Sequence, residues 1–305
     1  MKNGRKEARL EMERRGWKLG IGLLWLSVPL MALRYWMVWD RLPARMATHF
    51  SAANQPNGWM SREASLIFSL ALCVFVLATF TVTLVRIRKP DTTAWAVLGM
   101  FYVVLGFIYW ISAGVLSYNL DGTPVPLTGP IVMLFAAIFA VVGIAFSHNR
   151  GQDLPAGAVV AEEVHPGRLW ALVFVFPALA ELAVIVAIPS TGLRLALGLA
   201  GIILLLAGGM AWSGFSYVFS STGVEIRTLG FRLRSIPLDQ IRAYAAAPWS
   251  MAGGYGIRGL GDKRAYVWSN KGVRIMTSDG EVFLGHSHPD RIVHDLDLIK
   301  QYAHS

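Results

Sequence analysis

Residues 40–62 read DRLPARMATHFSAANQPNGWMSR, a polar, turn-rich stretch between two segments that are apolar enough to cross a membrane. Pro43, Pro56 and Gly58 interrupt regular structure within it. It also contains side chains that a mere connector between helices would not require: Thr48, His49, Phe50 and Trp59. We therefore predict that this loop is a folded recognition surface.

The composition of the whole chain places this loop in a membrane protein. The chain has 305 residues, of which 54% are hydrophobic and only 15% charged, and its mean hydropathy is +0.48. Soluble globular domains have far more charge. Crossing a bilayer takes about 20 apolar residues. Runs of that length predict an all-α membrane bundle of six transmembrane helices, near 19–38, 65–85, 95–117, 130–147, 169–189 and 194–213.

The distribution of Lys and Arg predicts the orientation of these spans. Residues 1–18 contain seven Lys and Arg, and the 86–94 turn contains three, whereas the 118–129 loop has none. Because cytoplasmic loops carry the excess of positive charge, the N- and C-termini are predicted to be cytoplasmic and the 40–62 loop to face outward. The net charge of +9 suits the anionic inner leaflet of a plasma membrane. The absence of a basic stripe with interleaved aromatics argues against nucleic-acid binding.

After Ser213 the sequence changes to short β-prone runs separated by turns such as Leu229-Gly230 and Ser278-Asp279-Gly280. The 289–302 stretch places Ile292, Leu296 and Ile299 on one face at helical spacing. The pattern predicts a compact all-β domain closed by one C-terminal helix.

This C-terminal pattern resembles bacterial pleckstrin-homology (PH)-like domains, with seven short antiparallel strands before the helix. The resemblance rests on FSSTGVEIRTLGFRLRSIPLDQI and GGYGIRG. It implies a docking module for a cytoplasmic protein partner. Phosphoinositide binding is not implied, since Glu225 and Arg227 occupy the first hairpin, where several basic residues would be needed. Two interpretations of one glycine-rich segment stay open, a partner-contact loop or a tight turn: Gly253, Gly254, Tyr255, Gly256 and Arg258.

The 40–62 loop, with flanking residues from about 20 to 85, is similar to the bacterial membrane family catalogued as domain of unknown function 1648. The matching positions are Leu42, Pro43, Thr48, His49, Phe50, Pro56, Gly58 and Trp59. This chain departs from the family pattern at Ala47 and Asn54, where Pro and Gly are usual. Asn tolerates the left-handed conformation, so the turn is predicted to form. The family includes the Sdp immunity protein, which protects a bacterium from its own peptide toxin, so the resemblance implies an extracellular peptide ligand.

His49 is open to two interpretations. It is either a metal ligand or proton-responsive group, or it makes a structural hydrogen bond that folds the loop onto the span ends. A single His is too few for zinc. Trp36, Trp39 and Trp59 lie at the span ends, either as an interfacial aromatic belt or as an apolar floor for a peptide or lipid tail.

Two ionisable residues fall within the predicted spans. Glu181, one turn after Pro177, lies midway along the fifth span, where an ionised side chain costs about 2.5–3.5 kcal/mol. We expect it to face the bundle, protonated or paired with Arg34. A buried acid beside a proline kink also fits transport or gating.

Other chemistry-bearing residues give weaker indications. One candidate metal cluster consists of His286, His288 and His294 with Asp290. Solvent-exposed polar residues at a strand-to-helix junction would show the same spacing, so both interpretations stay open. The lone Cys73 predicts a small buried hydrophobe. The sequence lacks the common catalytic and nucleotide-binding motifs, so no enzyme activity, metal or cofactor is predicted.

Taken together, the sequence predicts a non-catalytic receptor or immunity-type membrane protein that recognises a peptide or lipid-like ligand outside and docks or signals inside. The alternative is a small-molecule or lipid transporter that uses Glu181. The predicted parts are a basic N-terminus (1–18), a four-span domain (19–148), a cytoplasmic linker (149–168), a two-span hairpin (169–213) and the PH-like domain (214–305).

Overall fold

The structure is a computed structural model that describes residues 2–51, 53–87, 89–125, 127–149, 154–155, 157–188, 190–260 and 262–302. It divides into two compact units. The helical unit comprises Met1–Val142 and Ala183–Leu199, and the sheet unit comprises Gly143–Leu182 and Ala200–Ser305.

The helices are α1 (Lys2–Leu24), α2 (Ser27–Val38), α3 (Arg62–Val85), α4 (Thr92–Asp121), α5 (Thr128–Asn149), α6 (Arg168–Ile185), α7 (Thr191–Ser213) and α8 (Pro289–Tyr302). Within the described residues, six helical segments are long and apolar enough to cross a membrane: Glu11–Arg41, Arg62–Val85, Thr92–Asp121, Thr128–Ala145, Arg168–Ile185 and Thr191–Ser213. They coincide with the six predicted spans. The prediction of six long apolar helices is therefore confirmed.

The first of these segments is broken between α1 and α2, which the hydropathy pattern does not reveal. Pro29 has no backbone N–H and cannot continue the helical hydrogen bonding from the preceding turn. The Ser27 hydroxyl instead donates to the carbonyl of Leu24 at 2.8 Å. The other ends follow ordinary capping: the side chains of Ser61 and Asp91 accept from the third residue after them, and Gly122 ends α4 with φ +76°.

The core of the helical unit joins α1, α2, α3 and α4. Cys73 is 1% exposed within it, as expected for a small hydrophobe. Trp17 meets Trp95 edge to face with ring centroids 5.1 Å apart. The largest fully buried side chains of this unit are Leu24, Met31, Tyr35, Met46, Leu77, Leu84 and Leu116.

The strands are β1 (Arg45–Phe50), β2 (Pro56–Ser61), β3 (Val159–His165), β4 (Phe215–Ser220), β5 (Gly223–Thr228), β6 (Phe231–Pro237), β7 (Ile241–Pro248), β8 (Gly256–Arg258), β9 (Lys263–Val267), β10 (Lys271–Thr277) and β11 (Glu281–Gly285). In the sheet unit they form a four-stranded sheet, β3-β4-β5-β6, and a five-stranded sheet, β7-β10-β11-β9-β8. A β-rich C-terminal region with one terminal helix is confirmed.

Two features of this region differ from the predicted antiparallel meander. First, the 149–168 segment is not only a linker, because β3 lies within it and pairs antiparallel with β4. Second, β11 inserts between β10 and β9, so β9 and β11 run parallel. Alternation of apolar residues reports which face of a sheet is buried, but it carries no information on strand order.

Helix α8 closes the core of the sheet unit. Ile292, Leu296 and Ile299 are fully buried, on the face predicted from their spacing. Tyr217 on β4 is also fully buried, and its hydroxyl hydrogen-bonds the carbonyls of Tyr266 and Gly285, each at 3.0 Å. Burial raises the pKa of Tyr217 well above its usual value, so it stays a neutral donor.

Gly214 joins α7 to β4 in a conformation that favours glycine, with φ +73°. A Cβ at this position would collide with the carbonyl oxygen of His165 at the end of β3. The close approach brings β3 and the start of β4 together where α7 ends.

Candidate ligand-binding site

Strands β1 and β2 form an antiparallel hairpin from the 40–62 loop. Met46 pairs with Met60 and Ala47 with Trp59, and a bulge then shifts the register so that His49 lies opposite Gly58. A Cβ on Gly58 would lie 2.9 Å from the Cβ of His49. Glycine at this position therefore permits the two strands to approach each other at the bulge.

The turn of the hairpin adopts the conformation expected of its asparagine. Asn54 has φ +60°, and its backbone N–H donates to the carbonyl of Ser51 at 2.9 Å. The left-handed turn predicted for Asn54 in place of glycine is confirmed. Its side chain also donates to the carbonyl of Val125 at 3.1 Å, which ties the turn to the segment after α4.

The hairpin is fixed on the C-terminal end of α4. The Asn119 side chain accepts from the N–H of Ala47 and donates to the carbonyl of Ala47, both at 2.8 Å. The Phe50 ring meets Tyr118 edge to face, with centroids 4.8 Å apart. The two hydrogen bonds of the Asn119 side chain and the packing of Phe50 on Tyr118 together hold β1 in one position on the helix.

Arginines cover the tryptophans at the two ends of the hairpin. The guanidinium of Arg62 lies 4.8 Å from the ring centre of Trp39, and that of Arg45 lies 5.6 Å from Trp59. Trp59 remains 48% exposed and Trp36 76% exposed. Such exposure suits an interfacial aromatic belt.

A cavity of about 240 Å³ lies between the hairpin and the helices. The hairpin contributes Thr48, His49 and Met60 to its wall. The helices contribute Met31, Tyr35, Ser65, Phe68, Ser69, Leu72, Phe107, Ile108, Ile111, Ser112 and Val115. Since Phe68 is 54% and Leu72 40% exposed, the wall formed by α3 also belongs to the outer surface of the unit.

Three hydroxyl groups form a hydrogen-bonded polar patch in the wall of this cavity. The Tyr35 hydroxyl lies 3.0 Å from the Ser65 hydroxyl and 3.1 Å from the Ser69 hydroxyl. Tyr35 is 1% and Ser65 3% exposed. The patch satisfies its own hydrogen bonds, as buried polar groups require, and it can exchange one of them for a bond to a ligand.

His49 contacts its neighbour on the hairpin. Its Nδ1 lies 3.3 Å from the Thr48 hydroxyl. Among the described residues, no three His, Cys, Asp or Glu side chains are arranged to hold a metal ion. Apolar walls with a few hydroxyls suit an amphipathic ligand.

The structure divides the predicted loop residues into two groups. Thr48 and His49 line the cavity, whereas Phe50 and Gly58 shape and anchor the hairpin. Pro43 is exposed before β1, and Pro56 begins β2. Sequence reasoning missed Tyr35, Ser65, Ser69 and Ser112. The one available signal is that Ser65 and Ser69 recur four residues apart in an apolar helix.

A comparison with family models matches the part of this site that α2, the hairpin and α3 form. Residues 28–81 match the family described as Domain of unknown function (DUF1648). This DUF1648 segment runs from α2 through the hairpin to most of α3, and it contains Tyr35, His49, Ser65 and Ser69. No curated protein and no solved structure matched the chain.

Arg34 and Glu181 lie in different units. Arg34, within the DUF1648 segment, has a buried Nε without a hydrogen bond in the described part of the helical unit. Glu181 on α6 has a buried Oε2 that likewise lacks one among the described residues, and a Cβ on Gly201 of α7 would lie 3.3 Å from it. Their pairing stays a prediction.

The glycine-rich segment at 253–258 adopts the tight turn. Gly254 and Gly256 have φ values of +71° and +95°, and the Trp249 indole donates to the carbonyl of Gly254 at 2.8 Å. The Tyr255 ring stacks on Trp170 of α6 with centroids 4.5 Å apart. A Cβ on Gly254 would lie 2.9 Å from the Arg258 side chain. The segment is thus packed, and its partner contact stays a prediction.

The late histidines gather with β3 rather than with Asp290. The His286 Nε2 lies 3.4 Å from Glu163, and the Arg291 guanidinium lies 3.7 Å from the same carboxylate oxygen. The N–H of His288 donates to Nδ1 of His286 at 3.1 Å. The His165 ring lies 5.1 Å from that of His286. Burial lowers the pKa of His165 to about 4, the charge of His286 adds to this, and a hydrogen bond to the Trp268 backbone opposes it.

Replacing Asn119 by Leu is expected to loosen the hairpin. Leu has similar size but leaves the N–H and carbonyl of Ala47 without their partner, which costs about 1–3 kcal/mol per buried group. Amide hydrogen exchange of residues 45–50, measured by mass spectrometry on the full chain in nanodiscs, should accelerate. Asn57→Leu, at an exposed position in β2, is the matched control. Equal exchange in the two variants would contradict the anchoring role.

The sheet unit is expected to lose stability as the pH falls from 6.5 towards 4. The folded pKa of His165 is about 4, against an ordinary value of 6.5, so the unfolded chain binds the proton more strongly. The contribution is complete above pH 6.5 and shrinks below it. Thermal unfolding of the full chain in detergent micelles should show this loss, and His165→Gln should reduce it. His294→Gln, at an exposed position, should not. A loss equal in wild type and His165→Gln would refute the assignment.

Proposed function

We propose that this chain is a non-catalytic multi-pass membrane protein of receptor or immunity type that binds an amphipathic ligand beneath the DUF1648 hairpin. The observation that carries the proposal is the cavity itself. Its roof is the family hairpin, its walls are mostly apolar, and the Tyr35, Ser65 and Ser69 hydroxyls form a polar patch in them.

Membrane insertion is supported by the surfaces of the helices. Large apolar side chains are widely exposed on them, including Phe75 at 71%, Leu169 at 81% and Phe176 at 66%. Soluble proteins rarely expose contiguous apolar surface of this kind, whereas lipid tails accept it. The positive charge of residues 1–18 supports a cytoplasmic position for the termini and an outward position for the hairpin.

The cavity sets the class of ligand. At about 240 Å³, it lies below the roughly 300–1,000 Å³ of sites that enclose a whole drug-sized molecule. It therefore takes one segment of a ligand, such as an apolar side chain of a peptide or the end of a lipid tail. A polar group on that segment would bond to the hydroxyl of Ser69, which is only partly buried.

The C-terminal region is the proposed inner readout. Two sheets closed by α8 support a PH-like docking module for a cytoplasmic protein. Chain continuity supplies the link, because α6 and α7 each contribute residues to both units. A ligand that changes helix packing in the helical unit would thereby alter what the sheet unit presents.

Filling the cavity is the direct test of ligand binding. Full-length chain in nanodiscs would be photolabelled with palmitate that carries a diazirine at the end of its tail, and the labelled residues mapped by mass spectrometry. Ser69→Phe places a ring in the cavity, and labelling of Phe68, Leu72 and Ile108 should fall about tenfold, the effect of losing about 1.4 kcal/mol of binding free energy.

Ala71→Phe adds the same ring to an exposed position of α3 that does not line the cavity, and labelling should persist. Labelling that spreads evenly over the lipid-facing helices and does not respond to Ser69→Phe would overturn the cavity as a site. Hydrogen exchange of residues 253–258 in the same samples tests the inner readout, which predicts a change when the cavity is filled.

The buried carboxyl of Glu181 favours transport as a second candidate function. Its Oε2 has no hydrogen bond among the described residues, and Gly201 leaves space beside it. In a transporter, Glu181→Gln should abolish proton-coupled flux in proteoliposomes, because Gln cannot carry the proton, while expression stays normal. Gly198→Ala, near Ile185 rather than Glu181, is the control. Unchanged flux in Glu181→Gln would exclude a carrier role for this carboxyl.

A further inference from the structure

The turn between β5 and β6 presents two large apolar side chains to the surroundings. Leu229 is 46% exposed and Phe231 58% exposed, although the strands on either side bury their apolar residues in the core. Leu229 has φ +49° and Gly230 φ +77°. Positive φ at both positions is the geometry of a tight hairpin turn in which Asn or Asp normally precedes Gly. Leucine there is unfavourable for the backbone, so its presence calls for another reason.

The position of this turn beside the end of α7 supplies that reason. Strand β4 leaves α7 directly through Gly214, and β5 returns antiparallel to it. At the end of this return, the Thr228 hydroxyl donates to the carbonyl of Gly214 at 2.8 Å and lies 3.3 Å from the hydroxyl of Ser213. The turn that follows Thr228 therefore lies at the level of the last residue of α7.

That level is a membrane boundary if α7 spans the bilayer. The apolar segment Thr191–Ser213 ends there. The exposed ring of Trp212 lies 5.9 Å from the guanidinium of Arg168, at the start of α6, and the N–H of Gly167 donates to the carbonyl of Ala211 at 2.8 Å. Tryptophan and arginine are the residues that mark the headgroup layer.

The charges beside the turn agree with a lipid surface. Arg227 and Arg232 flank it, and the guanidinium groups of both lie near the carboxylate of Glu225, at 2.5 and 3.8 Å. Arginine side chains close to a membrane surface are attracted to anionic lipid headgroups.

We propose that Leu229 and Phe231 insert into the lipid headgroup layer and hold the sheet unit on the membrane where α7 ends. The occupant of this surface is the bilayer itself. The inference rests on the membrane insertion in the proposed function, and it adds a second attachment that is independent of the spans. Apolar side chains that reach the boundary between headgroups and acyl chains, with basic residues beside them, are the usual means of interfacial attachment.

Nitroxide labelling of the full chain tests the proposal. Cys73→Ala removes the one native thiol, and Phe231→Cys or Met276→Cys then introduces a single labelling site. Met276 is a matched control because it is similarly exposed, at 44%. It pairs with Glu281, at the opposite end of β11 from Gly285, whose carbonyl accepts a hydrogen bond from Tyr217 near the start of β4. In phosphatidylethanolamine–phosphatidylglycerol vesicles, collisions of the label with oxygen and with water-soluble nickel chelate are compared.

The expected result is high oxygen and low nickel accessibility at 231, and high nickel accessibility at 276. Adding Leu229→Ser to the chain labelled at 231 should shift the label towards water. Low accessibility to both reagents at 231 would mean that protein covers the turn, and nickel accessibility equal to that at 276 would mean that nothing does. Either outcome overturns the proposal. Alkaline extraction of cell membranes tests the spans separately. A chain that stays in the membrane after extraction, while its label at 231 is accessible to the nickel chelate, refutes only this inference.

Discussion

The pair of hydrogen bonds between the Asn119 side chain and the backbone of Ala47 is the constraint on which the candidate site depends. A short two-stranded hairpin has little stability by itself, and it must gain its position from the helices beneath it. The bonds to Asn119 fix β1 at one point along α4, and the packing of Phe50 on Tyr118 fixes its tilt. Thr48 and His49 then fall over the cavity. Without that fixed point, the roof of the cavity would have no defined geometry, and Thr48 and His49 would not hold fixed positions in its wall.

The hydroxyl patch below the hairpin would give the proposed ligand site its selectivity. Ser65 and Ser69 lie one turn apart on α3 and both reach the Tyr35 hydroxyl from α2. In an apolar surrounding, a hydroxyl that lost its partner would cost about 1–3 kcal/mol. A purely apolar ligand that displaced one of these bonds would pay that cost, whereas a ligand with one suitably placed polar group would not. In the proposed site, a ligand segment with one polar group beside the patch would therefore be held more tightly than a purely apolar segment.

Sequence alone predicted the features that depend on local chemistry. The six apolar helices follow from length and hydropathy, the buried face of α8 from helical spacing, and the left-handed turn at Asn54 from the tolerance of asparagine. The features that depend on distant partners were missed. Nothing in the sequence pairs Asn119 with Ala47 or Tyr35 with Ser65, because these contacts join elements far apart in the chain. Strand β3 was hidden among Pro and Gly residues, and it exists because β4 offers it an open edge. The parallel pairing of β9 and β11 follows from the strand order of the sheet, which the alternation of apolar and polar residues does not reveal.

The position of β3 changes how the C-terminal region must be understood. It comes before α6 in the chain and β4 comes after α7, yet the two pair edge to edge from His165 opposite Phe215 to Val159 opposite Ser220. The sheet is thus closed by chain segments on both sides of the α6–α7 hairpin. A domain attached by one flexible linker can be removed without harm, but truncation at residue 214 would leave β3 with an unpaired edge and would remove His286, which contacts Glu163 on β3. The four-stranded sheet is therefore continuous with the α6–α7 segment at both of its ends, through β3 before α6 and β4 after α7.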